Sequence, residues 1–388
     1  MTDAARKSLS LALALAVAVG LVGCTAPAET EQAGQPAGPK TVKVGFAAPL
    51  TGDNAVYGQG MQNAVQLAIE EANSTDEVKA KGITFEIRAE DDAGDPKQAV
   101  NVANALAGDD AVVGIVGHFN SGCSIPAAPV YNEAKLAMVT VSSNPQLTAT
   151  GLGNVNRIVA KDDAQGGFAG TFATEQGWKN VAVIDDATPY GQGLAAEFKK
   201  SFEKDGGKVV AEERIQPKEV DFSALVTKLK GVNPDAVYYA GAHTEGALIS
   251  KQMKEAGLKV PVMGGDMLYT PEFIKIAGAA NAEGDIATAL GLPLEQQPKG
   301  AEFKQKYEAK FGKAPEAYDS YAYDAAWIVI NAAMATDANR FNMLDVIRKN
   351  TLQGGVTGDI SFDENGDNTQ QIISAYKVEG GEWTQIKK

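Results

Sequence analysis

Two hydrophobic periodicities alternate along this chain, and that alternation restricts its fold more than any other feature. Val42, Val44 and Phe46 fall on one face at every second position, the spacing of a strand laid on a core. Tyr57 to Glu71 then carries apolar residues at helical spacing. The exchange continues with strand 83–89, helix 96–107, strand 111–116, helix 124–133 and strand 137–141. After Lys161 it restarts, with helices over 166–176, 191–204, 222–230 and 245–256 and strands over 181–185, 208–213, 236–239 and 260–263. Strands separated by helices of this length predict parallel sheets covered by helices on both faces. Two such series predict an α/β protein of two Rossmann-like, doubly wound lobes. The C-terminal segment breaks the rhythm, with helices over 298–311, 317–335 and 342–350 and strand-like runs over 359–362 and 372–378. It is too small for a third domain and is expected to pack back on the lobes.

The N-terminus has a different character. Arg6 and Lys7 precede an uncharged run from Leu9 to Val22, the layout of a secretory signal. A spanning helix needs about 20 apolar residues, so this run is too short for a permanent anchor. It ends Leu21-Val22-Gly23-Cys24, which resembles the lipobox of bacterial lipoproteins. That resemblance implies removal of residues 1–23 and a lipid on the Cys24 sulfur. Residues 24–40 hold no aliphatic side chain larger than alanine apart from proline. Such a segment cannot offset its own ordering entropy and is expected to be a flexible leash.

Charge and cysteine content narrow the function. The formal net charge is −14 and becomes about −15 once Asp3, Arg6 and Lys7 leave with the signal. An acidic body is a poor partner for nucleic acid, which attracts lysine and arginine clusters. With Cys24 committed to lipid, Cys123 stands alone, so no intramolecular disulfide is available although export would permit one. Two histidines, His118 and His243, and one free thiol argue against a zinc site. No G-x-S-x-G elbow raises a serine as nucleophile, and the glycines of 57–60 and 190–193 form neither a phosphate loop nor a dinucleotide fingerprint. Binding is expected rather than catalysis, with no cofactor.

Ligands of open parallel sheets bind beyond the carboxyl ends of the strands. The loops there read AAPLTGDNAVYGQG, GHFNSGCS, SSNPQLT, DATPYGQG, AGAHTEGA and GGDMLYT. They are rich in glycine, hydroxyls, tyrosine and aspartate, suited to a zwitterion. In order and spacing these loops resemble the type I periplasmic binding proteins, above all the leucine/isoleucine/valine-binding components of ABC importers. DDAGDPKQAVNVAN at 91–104, GHFNS at 117–121, YGQG at 190–193, DFSALVTKLK at 221–230 and YYAGAHTEGA at 238–247 carry the similarity.

The resemblance implies two lobes joined by a three-crossover hinge. Residues 41–161 and 291–370 would form one lobe, and 162–290 and 371–388 the other. It also implies closure around an amino acid, branched-chain aliphatic in kind by that family's habit, and docking of a monomeric, lipid-anchored receptor on a membrane permease outside the cytoplasm. The other reading is a sensor for a small amide or similar solute. By the same resemblance Ser121, Ser142 and Ser143 would meet the ligand carboxylate and ammonium, with Asn120 beside them. Asp266 would pair with the ammonium, Tyr190 would close from the second lobe, and Tyr57, Phe119 and Tyr318 would wall the side chain. Ala242 stands where the family carries a ligand-contacting tyrosine, and Gly94 and Asn120 stand at its disulfide positions.

Overall fold

The computed structural model describes residues 40–350 and 352–387. The expected signal over 1–23, Cys24 and most of the leash lie outside the described residues, and Lys40, expected to end the leash, opens the first strand. Strands β1 (Lys40–Ala48), β2 (Ile83–Asp91), β3 (Val112–Gly117), β4 (Ala137–Thr140) and β5 (Val155–Arg157) form a parallel sheet in the order β2-β1-β3-β4-β5. The second sheet holds β6 (Asn180–Asp185), β7 (Lys208–Arg214), β8 (Ala236–Ala240), β9 (Val262–Gly264), β10 (Ile286–Leu290), β11 (Ile373–Glu379) and β12 (Glu382–Lys387). Its order is β12-β11-β10-β9-β8-β6-β7. Central strands such as β3 and β8 are buried along their whole length, as a sheet covered on both faces requires.

Three departures from the sequence expectation concern the C-terminal part. β11 runs antiparallel to β10, and β12 antiparallel to β11, so the second sheet is mixed. β12 follows a two-residue turn at Gly380 and Gly381, both at positive φ, which is the turn chemistry of a tight hairpin. The run at 359–362 forms no strand; it makes only the single bridges Leu352↔Ile360 and Phe362↔Asn368. The C-terminal helices do pack back: Asp319–Ala335 lies against helix Ala55–Ser74 and strands β3 and β4, and Arg340–Lys349 covers β3 and β4.

The chain passes between the sheets three times: after β5, after β10 and before β11. Arg157, the last residue of β5, sits at the first passage and is fully buried. Its guanidinium donates to Asp367 Oδ1 at 2.9 Å, to Thr148 Oγ1 at 2.8 Å and to the carbonyls of Ser142 and Asn144. Lys161 reaches the same Asp367 carboxylate at 3.3 Å. One buried cation thereby joins the end of the first sheet, a cleft loop and the segment that precedes the third passage. Among the described residues no helix is long and apolar enough to cross a membrane.

In each sheet the strand order reverses between two neighbours, β1 and β3 in the first, β6 and β8 in the second. Loops diverge at such switch points and leave a crevice. Several helices also start earlier than their apolar spacing suggests, at Ser121, Asp162, Pro189 and His243. Their first turns are polar or proline-led, so hydrophobic periodicity does not register them. The residues of those turns therefore border the crevice from helix N-termini, whose free N–H groups and positive dipole end favour anions.

Helix Asp162–Glu175 packs closely on helix Pro189–Lys204 through Gly166 and Gly170. A Cβ at Gly170 would lie 2.6 Å from Phe202 N and 2.7 Å from Ser201 Cβ, whereas one at Gly167 would meet nothing within 4 Å. Alanine gains about 1 kcal/mol over glycine from helix preference, but overpacking costs about 1–3 kcal/mol. Gly170→Ala should therefore lower the urea midpoint, and Gly167→Ala should leave it unchanged or raise it.

Candidate ligand-binding site

Asp266 opens a short 3₁₀ turn after β9 and is 5 % exposed. Tyr190 donates its hydroxyl to Oδ1 at 2.8 Å and Tyr318 donates to Oδ2. Tyr190 comes from the helix after β6, Tyr318 from the turn before helix Asp319–Ala335, which packs on the first sheet. The three residues thus tie the two sheets' ends together around one carboxylate. Burial pushes the Asp266 carboxyl above its ordinary value, and the Tyr318 and Tyr190 hydroxyls offset part of that rise. Burial and then the Asp266 charge push the hydroxyls of both tyrosines well above theirs, so both remain donors.

Tyr57, Phe119 and Tyr318 form an aromatic wall. Tyr57 stacks on Phe119 at 5.1 Å, and Tyr318 meets Phe119 edge-on at 5.0 Å and Tyr57 edge-on at 5.5 Å. Such offset and edge contacts stabilise aromatic clusters beyond their burial. Tyr57 also donates to the Met267 carbonyl at 2.8 Å, beside Asp266. His243 places its imidazole edge-on to Tyr57 at 5.5 Å, next to the half-buried Ala242. Burial lowers His243 to about 4, which keeps the ring neutral at physiological pH. A side pocket of about 230 Å³ opens beside Asp266 and Tyr318, bordered by Tyr269, Leu290, Tyr321 and Tyr376.

The serines divide. Ser121 is the first residue of helix Ser121–Glu133, and its hydroxyl accepts from Asn144 N at 3.3 Å. Asn120 holds the cap position without a side-chain cap bond, and its Oδ1 is buried and unpartnered. Ser142 bonds Ser124 Oγ at 2.6 Å and the Phe119 carbonyl at 2.8 Å, while its own carbonyl accepts from Arg157. Its polar groups thus clamp the loop at 118–119. Ser143 turns the other way, toward Asp162, whose backbone N–H donates to the Ser143 carbonyl at 3.0 Å.

Asp162, Gln165, Tyr238 and Asn144 were not singled out by sequence reasoning. Asp162 is fully buried at the start of its helix, and neither carboxylate oxygen meets a partner at hydrogen-bonding geometry. Burial and then the Asp266 charge push its carboxyl up to about 8, against which the Ser143 hydroxyl is only a partial offset. Gln165 donates to Thr288 Oγ1 at 2.9 Å and keeps its Oε1 unpartnered, as Tyr238 keeps its hydroxyl. Asn144 Nδ2 donates to the Pro189 carbonyl at 2.6 Å, bridging to the helix that carries Tyr190.

Both YGQG motifs have a steric reason. A Cβ at Gly193 would lie 2.6 Å from Asn144 Nδ2, and one at Gly60 would lie 2.4 Å from Asp319 Oδ1. Chemically, the set offers buried anionic and hydroxyl groups on one side and helix N-termini with Ser121 on the other. That suits a molecule carrying an ammonium and a carboxylate on neighbouring atoms. His118 is held apart from it: its Nδ1 lies 2.6 Å from Asp92 and its Nε2 3.0 Å from Tyr131 OH, all buried.

Residues 41–382 match the model of the family described as periplasmic binding protein. A protein of Brucella suis named Leu/Ile/Val-binding protein homolog 1 is 40% identical over 346 residues, covering 88% of this chain and 91% of that protein. The leucine-, isoleucine-, valine-, threonine-, and alanine-binding protein of Pseudomonas aeruginosa is 36% identical over 84% of this chain and 87% of its own length. Among solved structures, a leucine-binding protein of Thermotoga maritima superposes with a TM-score of 0.81 at 30% identity, covering 89% of this chain and 97% of that one. A branched-chain amino acid transporter substrate-binding protein of Streptococcus pneumoniae in complex with isoleucine gives 0.81 at 27% identity, covering 90% and 100%. With a family match over residues 41–382 and relatives of this similarity, the chain belongs to the periplasmic binding protein family.

Proposed function

We propose that this protein is the extracytoplasmic solute-binding component of an ABC importer, capturing an aliphatic amino acid between its two lobes and handing it to a membrane permease. The observation that carries the reading is the buried Asp266 carboxylate, gripped by Tyr190 from one lobe and Tyr318 from the other. A buried carboxylate wants a cation, and an α-ammonium supplies one. Ser121 and the N-terminus of its helix face the ligand carboxylate, Ser143 lies between the two ends, and Tyr57, Phe119 and Tyr318 wall the side chain. Ser142 acts through the loop it clamps, and Asn120 keeps a buried, unpartnered Oδ1 beside Ser121. Relatives named for leucine, isoleucine and valine support a branched-chain ligand. A binding role is supported by the match to the periplasmic binding protein family, and His118 is engaged away from the cleft through both ring nitrogens.

The lobes are assigned as 41–161 with 291–370 and 162–290 with 371–388, so that three passages form the hinge. Residues 1–23 are assigned as the signal, Cys24 as the lipid-bearing residue and 24–40 as the leash of a monomeric receptor, its last residue Lys40 opening β1.

Calorimetry with leucine, isoleucine and valine should give saturable heats. Asp266→Ala should weaken binding at least a hundredfold, since removing one member of a buried pair costs about 3–5 kcal/mol; a folded variant of undiminished affinity contradicts the ammonium assignment. A neutral amide that binds both proteins equally well favours the sensor reading. Cys24→Ala should move the protein from the membrane fraction to the soluble fraction on cell lysis, and an unchanged distribution contradicts the lipid anchor.

A further inference from the structure

We propose that ligand capture by this protein releases one proton, held until then by the Asp162–Asp266 carboxylate pair. The inference rests on the amino acid reading above, because it needs a ligand that brings a cation to Asp266.

The geometry sets up a surplus of buried negative charge. Asp266 is 5 % exposed and Asp162 is fully buried. Asp266 receives only neutral donors: the hydroxyls of Tyr190 and Tyr318, the Gln165 amide and its own backbone N–H. Neither oxygen of Asp162 has a partner at hydrogen-bonding geometry. The nearby cations are committed elsewhere: Arg157 to Asp367 and the carbonyls of Ser142 and Asn144, and Lys161 to Asp367 and Asp163. Two carboxylates that share a buried site and lack a bonded cation do not both ionise at moderate pH.

The other groups facing the pair leave that balance in place. Tyr190, Tyr238 and Tyr318 are all held well above the ordinary phenol range, by burial first and by Asp266 and Asp162 after it, so none of them carries charge near neutrality. Asp163 on the same helix raises Asp162 further, and Arg157 at its distance lowers it only in part. The net result is an Asp162 carboxyl pushed up to about 8. The pair titrates as a unit, and at pH 7 it holds one proton.

An arriving α-ammonium changes the sum. It places a positive charge against Asp266, while the ligand carboxylate is directed toward Ser121 and its helix N-terminus. The positive charge favours ionisation of the neighbouring carboxyl. The O–H bond of Asp162 breaks, the proton passes to solvent, and the ammonium takes over the balancing of the pair. Binding then strengthens as pH rises through the range in which Asp162 titrates, because a proton appears among the products.

The test is calorimetry of leucine into the intact mature protein at pH 7, in phosphate and in Tris, which differ strongly in ionisation enthalpy. The apparent binding enthalpies should differ by nearly one proton's worth of that buffer difference. The dissociation constant should fall by up to about tenfold per pH unit from pH 6 toward pH 8 and then level off. Asp162→Asn should give enthalpies that agree in the two buffers. Equal wild-type enthalpies in phosphate and Tris overturn the proposal without any variant being needed. So does an Asp162→Asn protein that keeps the full buffer difference. Heat without buffer dependence sinks the coupling alone. Absence of heat with every amino acid tried sinks the functional reading and this inference with it.

Discussion

The site is organised by one buried carboxylate. Asp266 lies on the second sheet's side, and one of the two hydroxyls that hold it comes from a turn whose helix packs on the first sheet. Desolvating a charge is costly unless it is paired or well hydrogen-bonded. Neutral donors, foremost the two hydroxyls, meet part of that need. In the proposed reading the remainder is the physical basis of ligand affinity, since a cation delivered to Asp266 would be worth more in this enclosed setting than in water. The aromatic wall of Tyr57, Phe119 and Tyr318 serves the same end, because it excludes solvent from the carboxylate while offering apolar surface to a side chain.

Arg157 plays the matching part at the crossover. Its guanidinium satisfies the carbonyls of Ser142 and Asn144 and the carboxylate of Asp367 together. Arginine suits that position because its planar fork can serve several acceptors at once. Any movement of the segment before the third passage is therefore felt by the loop carrying Ser142, Ser143 and Asn144. Asn144 extends the linkage to Pro189, one residue before Tyr190. The crossover and the site therefore share these residues.

Much of this was legible in the residue pattern. The alternation of periods exposed two α/β series, and the family resemblance drew attention to Tyr190, Asp266 and Tyr318, which meet in one cluster. What escaped has physical reasons. Asp162 and Asp163 together look like ordinary acidic residues at a helix start, where the dipole favours them; only burial separates the first, at 0 % exposure, from its exposed neighbour. The early helix starts at Ser121, Pro189 and His243 escaped because polar first turns carry no hydrophobic period. β5 is three residues long, too short for any periodicity. The hairpin at Gly380 and Gly381 did carry a turn signal, and the alternation of β12 beyond it could have been read. Ser142 could not have been told from Ser143 by sequence, because their opposite orientations follow from how the loop sits against Phe119 and Arg157.

The assignment of Asp266 as the ammonium partner is tested most directly by a crystal structure of the protein grown with leucine. The ligand nitrogen should lie within about 2.7–3.2 Å of an Asp266 oxygen, with its carboxylate toward Ser121 and its side chain against Tyr57 and Phe119. A leucine whose nitrogen points away from Asp266, or that lies outside the cleft between the two sheets, contradicts it.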